Sequence, residues 1–191
     1  SGGVTVTGTV AATSYTGDGS NLTGIATGVT SDGSQNTSAG TNAGDAITSG
    51  VNNTSIGYNT LTEVTTGSQN TALGSLALDA NTTGANNTAC GVSALSTSTT
   101  ASNNTAFGYQ ALFSNTTGNL NTAIGVSAMY NSTNGDRNVA VGYETLYNLA
   151  ADQGDTYHTC IGWKAGHNIT TATQQTHVGA SAGISVTTGN S

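Results

Sequence analysis

The chain repeats itself. A nine-residue unit, Asn-Thr-x-x-Gly-x-x-Ala-Leu, begins at Asn53 (NTSIGYNTL), Asn70 (NTALGSLAL), Asn87 (NTACGVSAL), Asn104 (NTAFGYQAL) and Asn121 (NTAIGVSAM). An early copy starts at Asn36, a variant at Asn138 (NVAVGYETL), and weaker copies at His158 and Gln175. The central glycines are Gly40, Gly57, Gly74, Gly91, Gly108, Gly125, Gly142, Gly162 and Gly179, spaced by 17 residues except for a step of 20 between Gly142 and Gly162. A second glycine often precedes the unit's centre by seven residues, as at Gly50, Gly67, Gly84, Gly118 and Gly135. Such a period is the signature of a repeat architecture.

Seventeen residues are too few for a helix pair, which takes roughly 34 or more per repeat. They suit one turn of a parallel β-solenoid, expected here as two strands of about five residues and two corners. Thr-Thr-Gly at 65–67, 82–84 and 116–118 and Asn-Gly at 134–135 mark the corners. The fold class is therefore all-β, a parallel β-solenoid or β-roll. Turns stacked about 4.8 Å apart make nine repeats a rod roughly 40 Å long.

Composition fits this reading. Leu, Ile, Val and Phe supply 31 of 191 residues, too few for an ordinary globular core. Charge is scarce, with 9 acidic and 2 basic residues, and there is no proline. Glycine contributes 27 residues. A chain this poor in apolar groups folds if they fall at regular intervals.

Two apolar columns do. The residue before each central glycine is Ile56, Leu73, Cys90, Phe107, Ile124, Val141, Ile161 or Val178. The residue four after it is Leu61, Leu78, Leu95, Leu112, Met129 or Leu146. Both are expected inside, as one thin core. The recurrent glycine implies a positive φ or no room for a Cβ. The Asn that opens most units is expected at a left-handed corner or in an amide ladder. Two residues before the glycine stand Ser55, Ala72, Ala89, Ala106, Ala123, Ala140 and Cys160. In a strand these point away from the neighbouring apolar column. Small residues on that face imply a cover, and another copy of the chain is the expected one: a homo-oligomer, with a trimer about the rod axis favoured.

The Asn-Thr-Ala-x-Gly units resemble the head repeats of trimeric autotransporter adhesins, although the adhesin unit is shorter. They resemble more closely the Asn-Thr-Ala-x-Gly-x-x-Ala-Leu arrays of structural and tail-fibre proteins of marine and cyanobacterial phages. Those proteins also carry segments like Ala12-Thr-Ser-Tyr-Thr-Gly-Asp-Gly-Ser-Asn-Leu-Thr-Gly-Ile25 here. The resemblance implies a structural protein of a virion fibre or similar extracellular appendage that holds or forms a host-attachment surface.

Residues 1–34 are expected to form a connecting segment ahead of the solenoid of 35–191. Val4, Val6 and Val10 alternate as in a strand, and Gly17-Asp-Gly-Ser-Asn21 reads as a tight turn. The chain ends inside what reads as a new Thr-Thr-Gly corner, as in a piece of a longer array.

No enzymatic chemistry is expected, and no cofactor or metal. The Asp-Gly-Ser-Asn run lacks the further carboxylates of an EF-hand. His158, His167 and His177 match no zinc pattern beyond Cys160 lying two after His158. There is no Walker motif, and a net charge of −7 disfavours a nucleic-acid groove. No apolar run is long enough to span a membrane. Cys90 and Cys160, four turns or about 19 Å apart, are too far for a disulfide and read as small buried hydrophobes. Asn-x-Ser/Thr sequons are frequent, as chance predicts in a chain so rich in Asn and Thr.

Two features leave a functional alternative open. A Thr recurs three before most central glycines, from Thr54 to Thr176, which suggests an ice-binding solenoid as the second reading. The 20-residue step concentrates aromatic and acidic residues, and in a solenoid such an insertion belongs in a corner loop. Its candidate receptor contacts, to a host glycan or protein, are Tyr147, Asp152, Asp155 and Tyr157. The plainer expectation is that these aromatics fill a widened core.

Overall fold

The computed structural model describes residues 30–149 and 155–188. The strand expected over Val4–Val10, the turn at 17–21 and Asp152 lie outside the described residues.

Every regular element is a short strand. β1 (Thr30–Ser31) pairs antiparallel with β2 (Thr37–Ala39). Then follow β3 (Thr54–Ile56), β4 (Thr71–Leu73), β5 (Thr88–Cys90), β6 (Thr105–Phe107), β7 (Thr122–Ile124), β8 (Val139–Val141), β9 (Thr159–Ile161) and β10 (Thr176–Val178). From β2 to β10 each strand pairs in parallel with the next, in one sheet in sequence order. The register advances by one repeat at every step: Thr71 lies opposite Thr88, Ala72 opposite Ala89 and Leu73 opposite Cys90. This is the expected β-solenoid. Bonding between turns extends past the strands, from Thr71 N to the Asn87 carbonyl (2.8 Å) and from Gly74 N to the Ile56 carbonyl (2.9 Å).

The turn is built differently from the expectation of two five-residue strands. It has one strand of three residues, and the rest is a series of bends. Relative to the central glycine, residues five before, two after and four after it sit in the left-handed region; in one turn these are Asn103 (φ 61°), Gln110 (φ 54°) and Leu112 (φ 52°). A left-handed residue reverses the local path of the chain and ends a strand. Three of them per turn, with Gly108 at φ 140°, confine the strand to the stretch between Asn103 and Gly108, and the seven residues from Phe113 to Asn119 run through turns and bends without pairing as a second strand. The central glycine meets both sequence expectations. A Cβ built on Gly108 would stand 2.5 Å from the Gly125 carbonyl oxygen and 2.6 Å from its carbon.

The core reverses one expectation. The leucine column is inside, with Leu61, Leu78, Leu95, Leu112, Met129 and Leu146 fully buried. The alanine column is inside as well: Ser55, Ala72, Ala89, Ala106, Ala123, Ala140 and Cys160 are fully buried. The column before the glycine is outside, with Leu73 46% and Phe107 56% exposed. Alanine therefore does not face another copy; it faces the interior. The reason is width. A single turn of 17 residues encloses a narrow channel that the leucines and a second alanine column (Ala77, Ala94, Ala111, Ala128) already fill. A large side chain in the middle of the strand would overpack it.

One compensation shows how tightly the channel is matched. In the turns where the leucine position is Gly44 or Gly166, the residue three later is Ile47 or Ile169, and the isoleucine Cδ1 lies 3.2 Å or 2.9 Å from where the missing Cβ would be. Where the leucine position holds Leu78, Leu95, Leu112 or Met129, that later position is Asn81, Ser98, Asn115 or Ser132, each fully buried, whereas the turns of Leu61 and Leu146 accommodate Val64 and Leu149 there as well.

The opening Asn residues form the expected amide ladder. Asn87 Oδ1 accepts from Asn104 N (3.0 Å), and Asn87 Nδ2 donates to the Ala101 carbonyl (2.8 Å). The motif repeats from Asn36 to Asn138. The left-handed corner is taken by the residue before each Asn.

Candidate functional site

Because the strands alternate, each presents its first and third residues on one outer face. The first is Thr in most turns; Thr71, Thr88 and Thr105 are exposed. The third is the large apolar residue. The residue after the glycine adds a further outward column: Tyr58, Val92, Tyr109, Val126, Tyr143 and Trp163. Of the 15 large hydrophobic residues exposed among the described residues, 12 lie in the two columns flanking the central glycine. The result is a stripe along the rod, Thr on one border and aromatic or aliphatic side chains across the rest.

A second feature runs along a corner. Five residues after the glycine, Phe113, Tyr130, Tyr147 and His167 stack as nearly parallel rings, with centroids 5.0, 5.2 and 5.1 Å apart. In-register turns hold equivalent side chains at the strand spacing, close to the distance at which flat rings stack.

The charged groups gather near the 20-residue step. Lys164 Nζ is 3.0 Å from Glu144 Oε2 and lies over the rings of Trp163 (5.0 Å) and Tyr143 (5.9 Å). His167 Nε2 is 3.3 Å from the same carboxylate oxygen. A hydrogen bond with the Tyr143 hydroxyl, together with Lys164, holds the Glu144 carboxyl below its usual range. Arg137 pairs with Asp155 and lies over the Tyr157 ring at 5.6 Å, while the Tyr157 hydroxyl donates to Asp155 Oδ2 (3.1 Å).

The four candidate receptor contacts are thus divided. Asp155 and Tyr157 stand together beside Arg137. Tyr147 is on another corner, both faces of its ring covered by Tyr130 and His167. The expected widened core does not enclose these rings: Tyr143, Tyr157 and Trp163 are exposed. The stack is in register at Leu149, fully buried, and again at Thr156, whose N donates to the Asp136 carbonyl (3.3 Å). The extra residues fall between them in the sequence.

The histidines and cysteines are dispersed through the stack. His158 occupies a ladder position, fully buried, and its Nδ1 accepts from Gln175 N (3.2 Å). Burial pushes its pKa down to about 4. Cys160 is buried, its thiol pushed up to about 12 by desolvation, whereas Cys90 is half-exposed; neither forms a disulfide. Among the described residues no group of three or more His, Cys, Asp or Glu is placed to hold a metal, and no helix is long and apolar enough to cross a membrane.

Sequence reasoning found the columns but put the strand's large residues on the wrong side. The outward column after the glycine carries its own sequence signal, Tyr, Val and Trp recurring with the same period. No family model, curated protein or solved structure matches the chain.

Proposed function

We propose that this chain is a structural segment of a fibre or adhesin, on a virion or another extracellular appendage, working as a homotrimer and holding or forming a host-attachment surface. The observation that carries the reading is the unbroken parallel register from β2 to β10. Every turn bonds to the next through its backbone, so bending the rod would strain many hydrogen bonds at once. A stiff spacer needs that property. The Asp155–Tyr157–Arg137 corner, exposed and carrying an aromatic ring beside a carboxylate, is the proposed contact for a host glycan or protein.

A second reading gains from one observation. Thr and aliphatic columns share the outer face at a regular spacing, as an ice-binding surface requires. The large rings of Phe107, Tyr109 and Trp163 on the same face make it uneven, which favours the fibre. A thermal hysteresis assay separates the two. The fibre reading expects no depression of the freezing point below the melting point beyond that of a control protein; clear hysteresis, lost on replacing Thr71, Thr88 and Thr105 by Lys, would establish the alternative.

A further inference from the structure

The apolar stripe beside the central glycines is too continuous for a free surface. Monomeric soluble proteins rarely leave a contiguous apolar patch larger than a few hundred Å² exposed, and a flat sheet face without charge is an association hazard. We propose that this stripe is the interface between copies of this chain, packed side by side with their axes parallel and in register. The parallel alignment rests on the fibre reading above; the choice of face rests on the structure of one chain.

Three observations select a second copy as the occupant. The first is period. The stripe presents equivalent side chains once per turn, at the spacing of paired strands, along the eight turns from Ile56 to Val178. A partner with the same repeat can seat its own side chains between them over the whole length; a surface without it would match only locally.

The second is charge. The chain carries a net charge of −7, yet Asp45 and Asp79, five residues after their glycines, and Glu63, six after, lie away from the stripe, and Glu144, beside the stripe residue Tyr143, is paired with Lys164. Both cations, Arg137 and Lys164, are paired with carboxylates. The one charged pair beside the stripe, Lys164 with Glu144, is already neutralised, so a charged partner gains little there. Two acidic copies can meet there without bringing like charges together.

The third is area. Eight turns of about 4.8 Å, from Ile56 to Val178, and five residues of about 3.3 Å give a projected stripe of roughly 600 Å². Standing side chains raise the molecular area toward the ~800 Å² per partner of a stable interface. The stripe is close to the size of one such interface, and it is the apolar-rich part of the described surface.

The test combines oligomeric state with alignment. Wild-type protein is sedimented and measured by native mass spectrometry at micromolar concentration, beside Phe107→Lys, Ile124→Glu and the control Thr83→Lys, whose side chain is exposed away from the stripe. Because Phe107 and Ile124 point outward, their variants keep the wild-type β circular dichroism. The expected result is an assembled wild type and control, with both stripe variants monomeric. Alignment is read with Val178→Cys in a Cys90→Ser background and a short bismaleimide, which joins two thiols by adding each to one maleimide; Cys160 is buried and stays silent. Parallel copies bring the two engineered thiols together at one end and yield covalent dimers. Assembled protein without that product overturns the parallel alignment. A monomeric wild type, or stripe variants that still assemble, overturns the interface. A monomer without thermal hysteresis leaves the rod reading standing, whereas a monomer with it removes both.

Discussion

Ala106 and Phe107 are neighbours in one strand, yet Ala106 is fully buried and Phe107 is 56% exposed. Hydrophobicity alone would order them the other way. The channel decides it: where the leucine position is filled, as by Leu112 here, the inward position of the strand holds only a small side chain, and the larger Cys160 and His177 occur where that position is Gly166 or Gly183. Ala106→Lys should therefore break the protomer itself, through a buried ammonium and overpacking, at a cost of more than ~4 kcal/mol. Phe107→Lys should change the stability of the separated chain by less than ~1 kcal/mol. Chemical denaturation of both variants at low protein concentration measures the difference.

Gly108 and Ser98 make a second contrast. Gly108→Val adds a β-branched side chain at φ 140° and against the Gly125 carbonyl. A cost on the order of 3 kcal/mol or more is expected. Ser98 is fully buried, and its hydroxyl has no hydrogen-bond partner. It shares a column with Val64, Leu149 and Ile169. Ser98→Val removes an unpaired polar atom and adds a methyl group beside Leu95, a combination that the Leu61–Val64 turn accommodates, so a change within about 1 kcal/mol is expected. Thermal unfolding of the pair gives the signs directly.

These positions also show what was legible beforehand. The spacing of Gly40 to Gly179 displayed the solenoid, because a backbone that must stack on itself repeats its constraints at a fixed interval. The burial of Leu61 and its equivalents was visible for the same reason. The sidedness of the Ala106–Phe107 pair was not. Alternation says that the two point oppositely, and only the width of the channel says which is in. The left-handed turn at Leu112 was hidden too, since Leu carries no mark of positive φ. At the candidate contact, aromatic and acidic content singled out the 20-residue step. The separation of Tyr147 from Tyr157 required knowing that one stacks with Tyr130 and His167 while the other sits beside Arg137.

The amide ladder should contribute heavily to cohesion between turns. Asn87→Ala leaves Asn104 N and the Ala101 carbonyl without their present side-chain partners in a buried site. At 1–3 kcal/mol per unsatisfied group, a loss on the order of 4 kcal/mol is expected. Asn131→Ala removes only an exposed bond to Asn148 Oδ1 (3.0 Å) and should cost less than ~1 kcal/mol. Hydrogen exchange should show faster opening around Asn104 in the first variant and not in the second.

His158 gives the stack a pH dependence. Its Nδ1 must keep its lone pair to accept from Gln175 N, so the folded ring is neutral, with the other nitrogen protonated. The folded pKa of about 4 lies below the ordinary value of 6.5. Below 6.5 the unfolded chain takes up the proton first, so stability is full above that pH and declines as pH falls toward 4. Below 4 this contribution levels off. The neighbouring imidazole of His177 adds to the depression, after burial. The decline is expected to be on the order of 2 kcal/mol. His158→Asn restores the ladder residue of the other turns and should remove this part of the slope; urea titrations at pH 7.5 and 4.5 on both proteins measure it.

Small-angle scattering of the wild-type chain tests the rod and its assembly together. The expected particle is about 40 Å long, one solenoid in length, with the mass of several chains side by side. A particle with the mass of one chain, or one whose length grows in multiples of the protomer, would contradict a rod built from parallel copies.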